Sequence, residues 1–137
     1  MRDIVLAVIT RLKGDTFVAA VVGTRIYRKK LPASPTFPAI TVDRVDKVRD
    51  DDTSTGRYAH ARVQCTAWAS TSGGPEEDLA DLIADSLHRC KNSILTAGTS
   101  NVYIVSIRDA GGVPDENTEI PLYIEHRDFM IHYDYKK

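Results

Sequence analysis

Residues 56–91 hold the pattern that most narrows what this chain can fold into: a long alternating strand followed directly by a capped amphipathic helix. From Ala59 the odd positions read Ala59, Ala61, Val63, Cys65 and Ala67, and the even ones read Tyr58, His60, Arg62, Gln64 and Thr66. Alternation of this length predicts a strand with one buried and one outward face. Trp68 departs from it near the strand's end. Ser70, Thr71, Ser72, Gly73 and Gly74 break the pattern. Pro75 then suits a first helical position, where its missing N–H would have no partner anyway. Glu76, Glu77 and Asp78 fill the first turn and Arg89 and Lys91 the last, as the helix dipole favours. Leu79, Leu82, Ile83, Ser86, Leu87 and Cys90 recur at the spacing of one helical face. The unit predicts a helix lying across the sheet that contains its preceding strand, and it carries no chemistry of its own.

The chain of 137 residues is long enough for one core, and we read residues 1–137 as a single domain. A formal net charge of −1 argues against a strongly basic nucleic-acid binder or a polyanionic tail. Cys65 and Cys90 both fall on apolar faces and read as reduced core residues, since free cysteine packs as a small hydrophobe. A disulfide between them would need an oxidising compartment, to which nothing in the sequence points. No stretch reaches the roughly 18 apolar residues of a membrane span, and residues 1–3 lead into a short apolar segment without a secretory cleavage site. The expectation is a soluble chain made inside the cell.

Residues 3–12 read as a helix, with Asp3 as N-cap, a stripe of Ile4, Val5, Val8, Ile9 and Leu12, and Gly14 as stop. A second short turn runs over residues 15–22 to Gly23. The β-branched content of both segments leaves a strand open as the alternative. Residues 25–29 read as a short strand anchored by Ile26. Three prolines follow in the segment 31–38, which is extended or looped and outside any central ladder. Strand character returns over 39–45, and the polar stretch 46–56 reads as a long exposed hairpin tip. Beyond the central unit, 94–100 reads as a loop, 101–108 as an interior strand and 109–117 as a second long loop. Residues 120–133 close the chain as a long strand. Its apolar set changes sides near 125–127, which suggests a bulge or a strand that outruns its sheet. The sum predicts an α+β domain, a mostly antiparallel sheet with helices packed on one face.

Motifs that carry chemistry are missing. The acidic run Asp50, Asp51, Asp52, with Asp43 and Asp46 upstream, lacks the glycine and distal glutamate of a calcium loop. It reads as a solvated tip or a loop that meets positive charge on a partner. His126 and His132 stand about 20 Å apart along an extended strand, too far to share a metal ion. The four histidines show no metal-binding spacing, no Ser sits in a nucleophile elbow, and the glycine pairs lack a phosphate-cradle context. No catalytic residue, metal or cofactor is expected. Arg25, Arg28, Lys29 and Lys30 form a small basic run, read either as a charge-protected edge strand or as a contact for an acidic partner.

Several segments together resemble one family, the tail-completion or tail-terminator proteins of long-tailed bacteriophages. They are the N-terminal apolar helix; Val22-Gly23-Thr24-Arg25-Ile26-Tyr27; Leu31-Pro32; and Phe37-Pro38-Ala39-Ile40-Thr41-Val42. Then come Gly56, the strand Ala61-Arg62-Val63-Gln64-Cys65-Thr66-Ala67-Trp68-Ala69, the helix with Leu79-Ala80-Asp81-Leu82-Ile83, and Arg127-Asp128-Phe129-Met130-Ile131-His132-Tyr133. Their order spans nearly the whole chain. The resemblance implies a structural virion subunit, made in the host cytoplasm. It forms a ring, usually a hexamer, at the head-proximal end of the tail. Such a ring stops tube polymerisation and docks to the head connector, and DNA passes through it without sequence-specific binding. Its partners would be itself, the tail tube protein and connector or neck proteins, with no membrane. A ring needs head-to-tail contacts. The outward row His60, Arg62, Gln64 and Thr66 is a candidate for them, with a plain solvated face as the alternative. Residues 46–56 and 110–118 are candidates for ordering on contact with tube or connector.

Two other readings compete. A head-completion or neck protein docking to the portal would share size, charge balance and ring formation. A small enzyme or ligand-binding domain would need convergent polar groups in a pocket, for which His60, Asp128 and His132 are the residues to test.

Overall fold

Asp3 and Asp15 start the first two helices in the same way, each turning its carboxylate onto amides of the first turn. Asp3 accepts from the Leu6 amide at 3.1 Å and heads α1, Ile4–Lys13. Asp15 accepts from the Phe17 and Val18 amides at 2.9 and 3.2 Å and heads α2, Thr16–Val22. Gly23 ends α2 at φ 59°, a left-handed conformation that glycine adopts without steric cost. The third helix, α3, is Pro75–His88, with Glu76, Glu77 and Asp78 in its first turn. The computed structural model describes residues 3–49, 58–70, 75–90, 93–97, 100–117 and 122–134.

The strands are β1 (Ile26–Arg28), β2 (Ala39–Arg49), β3 (Tyr58–Ala69), β4 (Ile94–Ala97), β5 (Ser100–Asn117) and β6 (Leu122–Asp134). They form one sheet in the order β1-β2-β3-β6-β5-β4, antiparallel at every junction except the short parallel pairing of β1 with β2. The fold is α+β, a mostly antiparallel sheet with its helices packed on one face, as expected. The expected alternation in β3 is present: Ala59, Ala61, Val63, Cys65 and Ala67 are buried with no exposed surface. They join Phe129, Ile131 and Tyr133 of β6 and Ile40 and Val42 of β2 in one core. Ile4, Val5, Val8, Ile9 and Leu12 of α1 and Leu79, Ile83 and Leu87 of α3 close it from above. Both cysteines are free and buried in this core.

Four expectations need correction. Residues 94–97 are a strand, β4, where a loop is expected: Leu95 is buried and pairs with Val102. Residues 109–117 are likewise no loop but the second half of β5, held in register against β6 as far as Asn117 opposite Leu122. Backbone pairing along a long partner strand overrides the turn chemistry of Gly111, Gly112 and Pro114. Residues 46–49 belong to β2, re-registered against β3 by an extra residue at Val45, so the exposed tip does not start at Asp46. Finally, α3 stops at His88, leaving Arg89 in the turn beyond it. The remainder of the tip, residues 50–56, and Lys91 and Thr118 lie outside the described residues.

The change of sides expected in the last strand has a different origin. β6 pairs with β3 without interruption from Tyr123 to Asp134, and the extra residues lie on β5, at Val105 and Ala110. Glu125 and Arg127 are polar residues on the helix-covered face. Arg127 reaches Glu125 at 2.8 Å and Asp81 of α3 at 3.2 Å, so they satisfy each other under the helix.

Candidate functional site

Because Arg127 points at α3, Asp128 next to it points the other way, and the strand pleat carries this alternation across the sheet. On that second face Asp43, His60, Arg62, Gln64, Thr66, Asp128, Met130 and His132 stand in paired rows. All three helices pack into the core on the opposite side, and among the described residues no helix covers this face.

Its side chains are locked together. Arg62 approaches Asp128 Oδ2 through both Nε, at 2.9 Å, and Nη2, at 2.8 Å, while Gln64 donates to Oδ1 at 3.1 Å. Thr66 Oγ1 and His126 Nδ1 share a hydrogen bond of 3.0 Å. The His60 and His132 rings lie tilted with centroids 5.2 Å apart, and His132 Nδ1 sits 3.3 Å from Ser106 Oγ. Trp68, the residue that departs from the strand pattern, stands on this same face and donates its indole N–H to Thr41 Oγ1 at 3.0 Å. The outward row is therefore ordered: Thr66 is buried, and His60, Arg62 and Gln64 are half-buried by their neighbours across the strands. Asp128, His60 and His132 stand on one face, but Asp128 is occupied by Arg62 and Gln64. Among the described residues no three His, Cys, Asp or Glu side chains come together as a metal site.

The basic run is dispersed by the fold. Arg25 turns inward, donating to the Pro38 carbonyl at 2.8 Å and the Val21 carbonyl at 3.4 Å. Arg28 pairs with Asp3 across to α1. Lys29 is exposed at φ 71°, its amide bonded to the Val42 carbonyl at 2.8 Å. Asp50, Asp51 and Asp52 lie outside the described residues.

Two features escaped the sequence reading. Phe17 and Val21 form an exposed apolar pair on α2, 65% and 38% exposed; their i, i+4 spacing was the available signal. Val45 and Val105 are exposed at strand bulges, which no periodicity marks.

The thiols are quiet. Burial, with the Asp128 charge adding to it, pushes Cys65 up to about 12. Burial also raises Cys90, although the Arg11 charge opposes it.

One face of the sheet is packed under helices and the other carries a fixed polar array, the arrangement of an α+β subunit with one side left for contact. A family model described as tail completion protein gp17 matches residues 6–118, and the chain belongs to that family. Its role is structural, in a phage tail, and its place is the virion. No curated protein sequence matches the chain. Among solved structures, a chain from the virion of a native gene transfer agent particle is similar at TM-score 0.68 and 15% identity, over 93% of this chain and 91% of that one. A second solved chain is similar at TM-score 0.52 and 13% identity, over 91% and 89%. At such identities the likeness is one of fold.

Proposed function

We propose that the chain forms a ring, a hexamer, at the head-proximal end of the tail, where it ends tube polymerisation and joins the tail to the head connector. The observation that carries this reading is the ordered open face. Arg62, Asp128 and Gln64 are fixed before any partner arrives, so contact through them loses little side-chain entropy. Membership of the tail-completion family supports the location. The contacts are drawn from His60, Arg62, Gln64 and Thr66 on that face, from the acidic Asp50, Asp51 and Asp52, and from the basic Arg25, Arg28 and Lys29. The partners are further copies of the chain, the tail tube protein and connector or neck proteins. DNA passes through the ring without base-specific contacts, in keeping with a net charge of −1.

The test is the mass in solution, alone and with purified tail tubes, followed by negative-stain imaging. The expected result is a ring capping one end of each tube and halting its growth. Binding to the isolated portal ring with indifference to tubes would move the protein to the neck. Binding to neither would overturn the reading.

A further inference from the structure

Among the described residues the sheet has two edges without a neighbouring strand over part of their length, and they lie at opposite ends of the strand order. β1 covers β2 only over Ile40–Val42, and β4 covers β5 only over Ser100–Tyr103, apart from the Ser93 carbonyl that accepts from the Ile104 amide. Among the described residues nothing pairs with the outer side of β2 over 43–49 or of β5 over 105–117. A long open edge is a template for another strand.

Rows of paired residues cross the sheet from one open edge to the other. One runs Asp46, Arg62, Met130, Arg108, and the next runs Arg44, Val63, Phe129, Asp109. Each row thus ends in opposite charges, Asp46 and Arg108 on the open face, Arg44 and Asp109 on the helix face. Pro114 closes the lower part of the β5 edge, since a proline offers no N–H to a neighbouring strand. The stretch left to pair, 105–113, is the one level with 43–49.

Direction agrees as well. β2, β3, β6 and β5 alternate up and down, so β5 runs antiparallel to β2. In a closed ring of identically oriented copies, β5 of one copy therefore meets β2 of the next as an antiparallel pair. The bulges at Val45, Val105 and Ala110 supply the bending such a closure needs. Val45 and Val105, 56% and 38% exposed, are among the large apolar side chains most open to solvent in the described residues, one on each edge.

We infer that the partner of these edges is a second copy of this chain: residues 105–113 of one copy pair antiparallel with residues 43–49 of the next, making one continuous sheet around the ring. This deepens the ring reading and rests on it.

The experiment is cysteine crosslinking of the full chain, alone and on purified tail tubes. Arg108→Cys is combined in turn with Asp43→Cys, Asp46→Cys or Val48→Cys, the positions in register with Gln64, Arg62 and His60. Within one chain these positions lie three strand steps, about 14 Å, apart, beyond the reach of a disulfide. Cys65 and Cys90 are buried and do not compete. One double variant should give a covalent ladder ending at the ring size, and the single variants none. A single variant that dimerises would mean like edges meet, and would overturn the pairing. Rings on tubes without a ladder in any register would overturn it and leave the ring reading standing. No ring and no tube binding would remove both. Hydrogen exchange on the unmodified chain guards against variants that misfold: assembly should protect amides of 43–49 and 105–113 at least tenfold, and unchanged exchange there sinks the proposal.

Discussion

Arg89 Nη2 lies 2.7 Å from Asp15 Oδ2, joining the turn after α3 to the residue that caps α2. The two ends of this pair are unlike: the Asp15 side chain is 5% exposed and that of Arg89 50%. Asp15 also receives the Phe17 and Val18 amides. The cap and burial therefore dominate, and the ion pair, half in water, adds little. Asp15→Ala should lower unfolding free energy by about 2 kcal/mol, and Arg89→Ala by roughly 0.5 kcal/mol or less. Urea titrations of both variants would decide it, and equal losses would show that the ion pair carries the link.

Acid should weaken the fold through the same residue. Burial alone would raise Asp15. The buried Ser86 hydroxyl, the Val18 and Phe17 amides and Arg89 outweigh it and hold the carboxyl below its ordinary value, although Ser86 Oγ forms no hydrogen bond of normal geometry. Asp3 is lowered too, against the effect of burial, chiefly by Arg28 and the Leu6 amide. A depressed carboxyl stabilises the fold above the unfolded value, about 3.9, and loses that contribution as pH falls through the lower folded value. Melting temperature should hold from pH 7 to about 5 and drop below about 4. Asp15→Asn should flatten the acid limb; an unaltered limb would assign it to other carboxylates.

Cys65 should not react with a thiol reagent at pH 8 in the folded protein, because burial leaves almost no thiolate. Labelling should track global unfolding in urea. Rapid labelling of Cys65 without denaturant would show that β3 opens locally.

Arg127, at 16% side-chain exposure, stands between Glu125, Asp81 and Asp109 beneath α3. Burial opposes its charge, and the hydrogen bonds it donates to Glu125 and Asp81 overcome that. Arg127→Met should cost about 2 kcal/mol, since it leaves the Glu125 carboxylate, 13% exposed, beside an apolar side chain. Adding Glu125→Gln should recover part of the loss, measured as a double-mutant cycle; strict additivity would deny the coupling.

Arg62→Ala separates assembly from folding. Its side chain is 41% exposed, so its loss should change stability by about 1 kcal/mol or less. Tube capping, scored by negative stain, should fall severalfold. Full capping by the variant would take Arg62 out of the proposed contact.

Much of this protein follows from local chemistry. Asp3, Asp15 and Pro75 start helices, and the alternation from Ala59 to Ala67 makes a strand with one buried face; each needs only its neighbours in sequence. The candidate row His60, Arg62, Gln64 and Thr66 was legible for the same reason, because side-chain parity is a local property. Its partners were not. Asp128 and His126 reach that row only when β6 pairs with β3 in a particular register, some 60 residues of chain away. Residues 94–97 are too short a run, and 109–117 hold too many turn formers, to declare themselves strands, and cross-strand pairing makes them so. The short reach of β1 and β4 leaves residues 43–49 and 105–113 without a neighbouring strand among the described residues, and this belongs wholly to the tertiary structure. An open edge is a property of what pairs beside a strand, and the strand's own residues do not encode it.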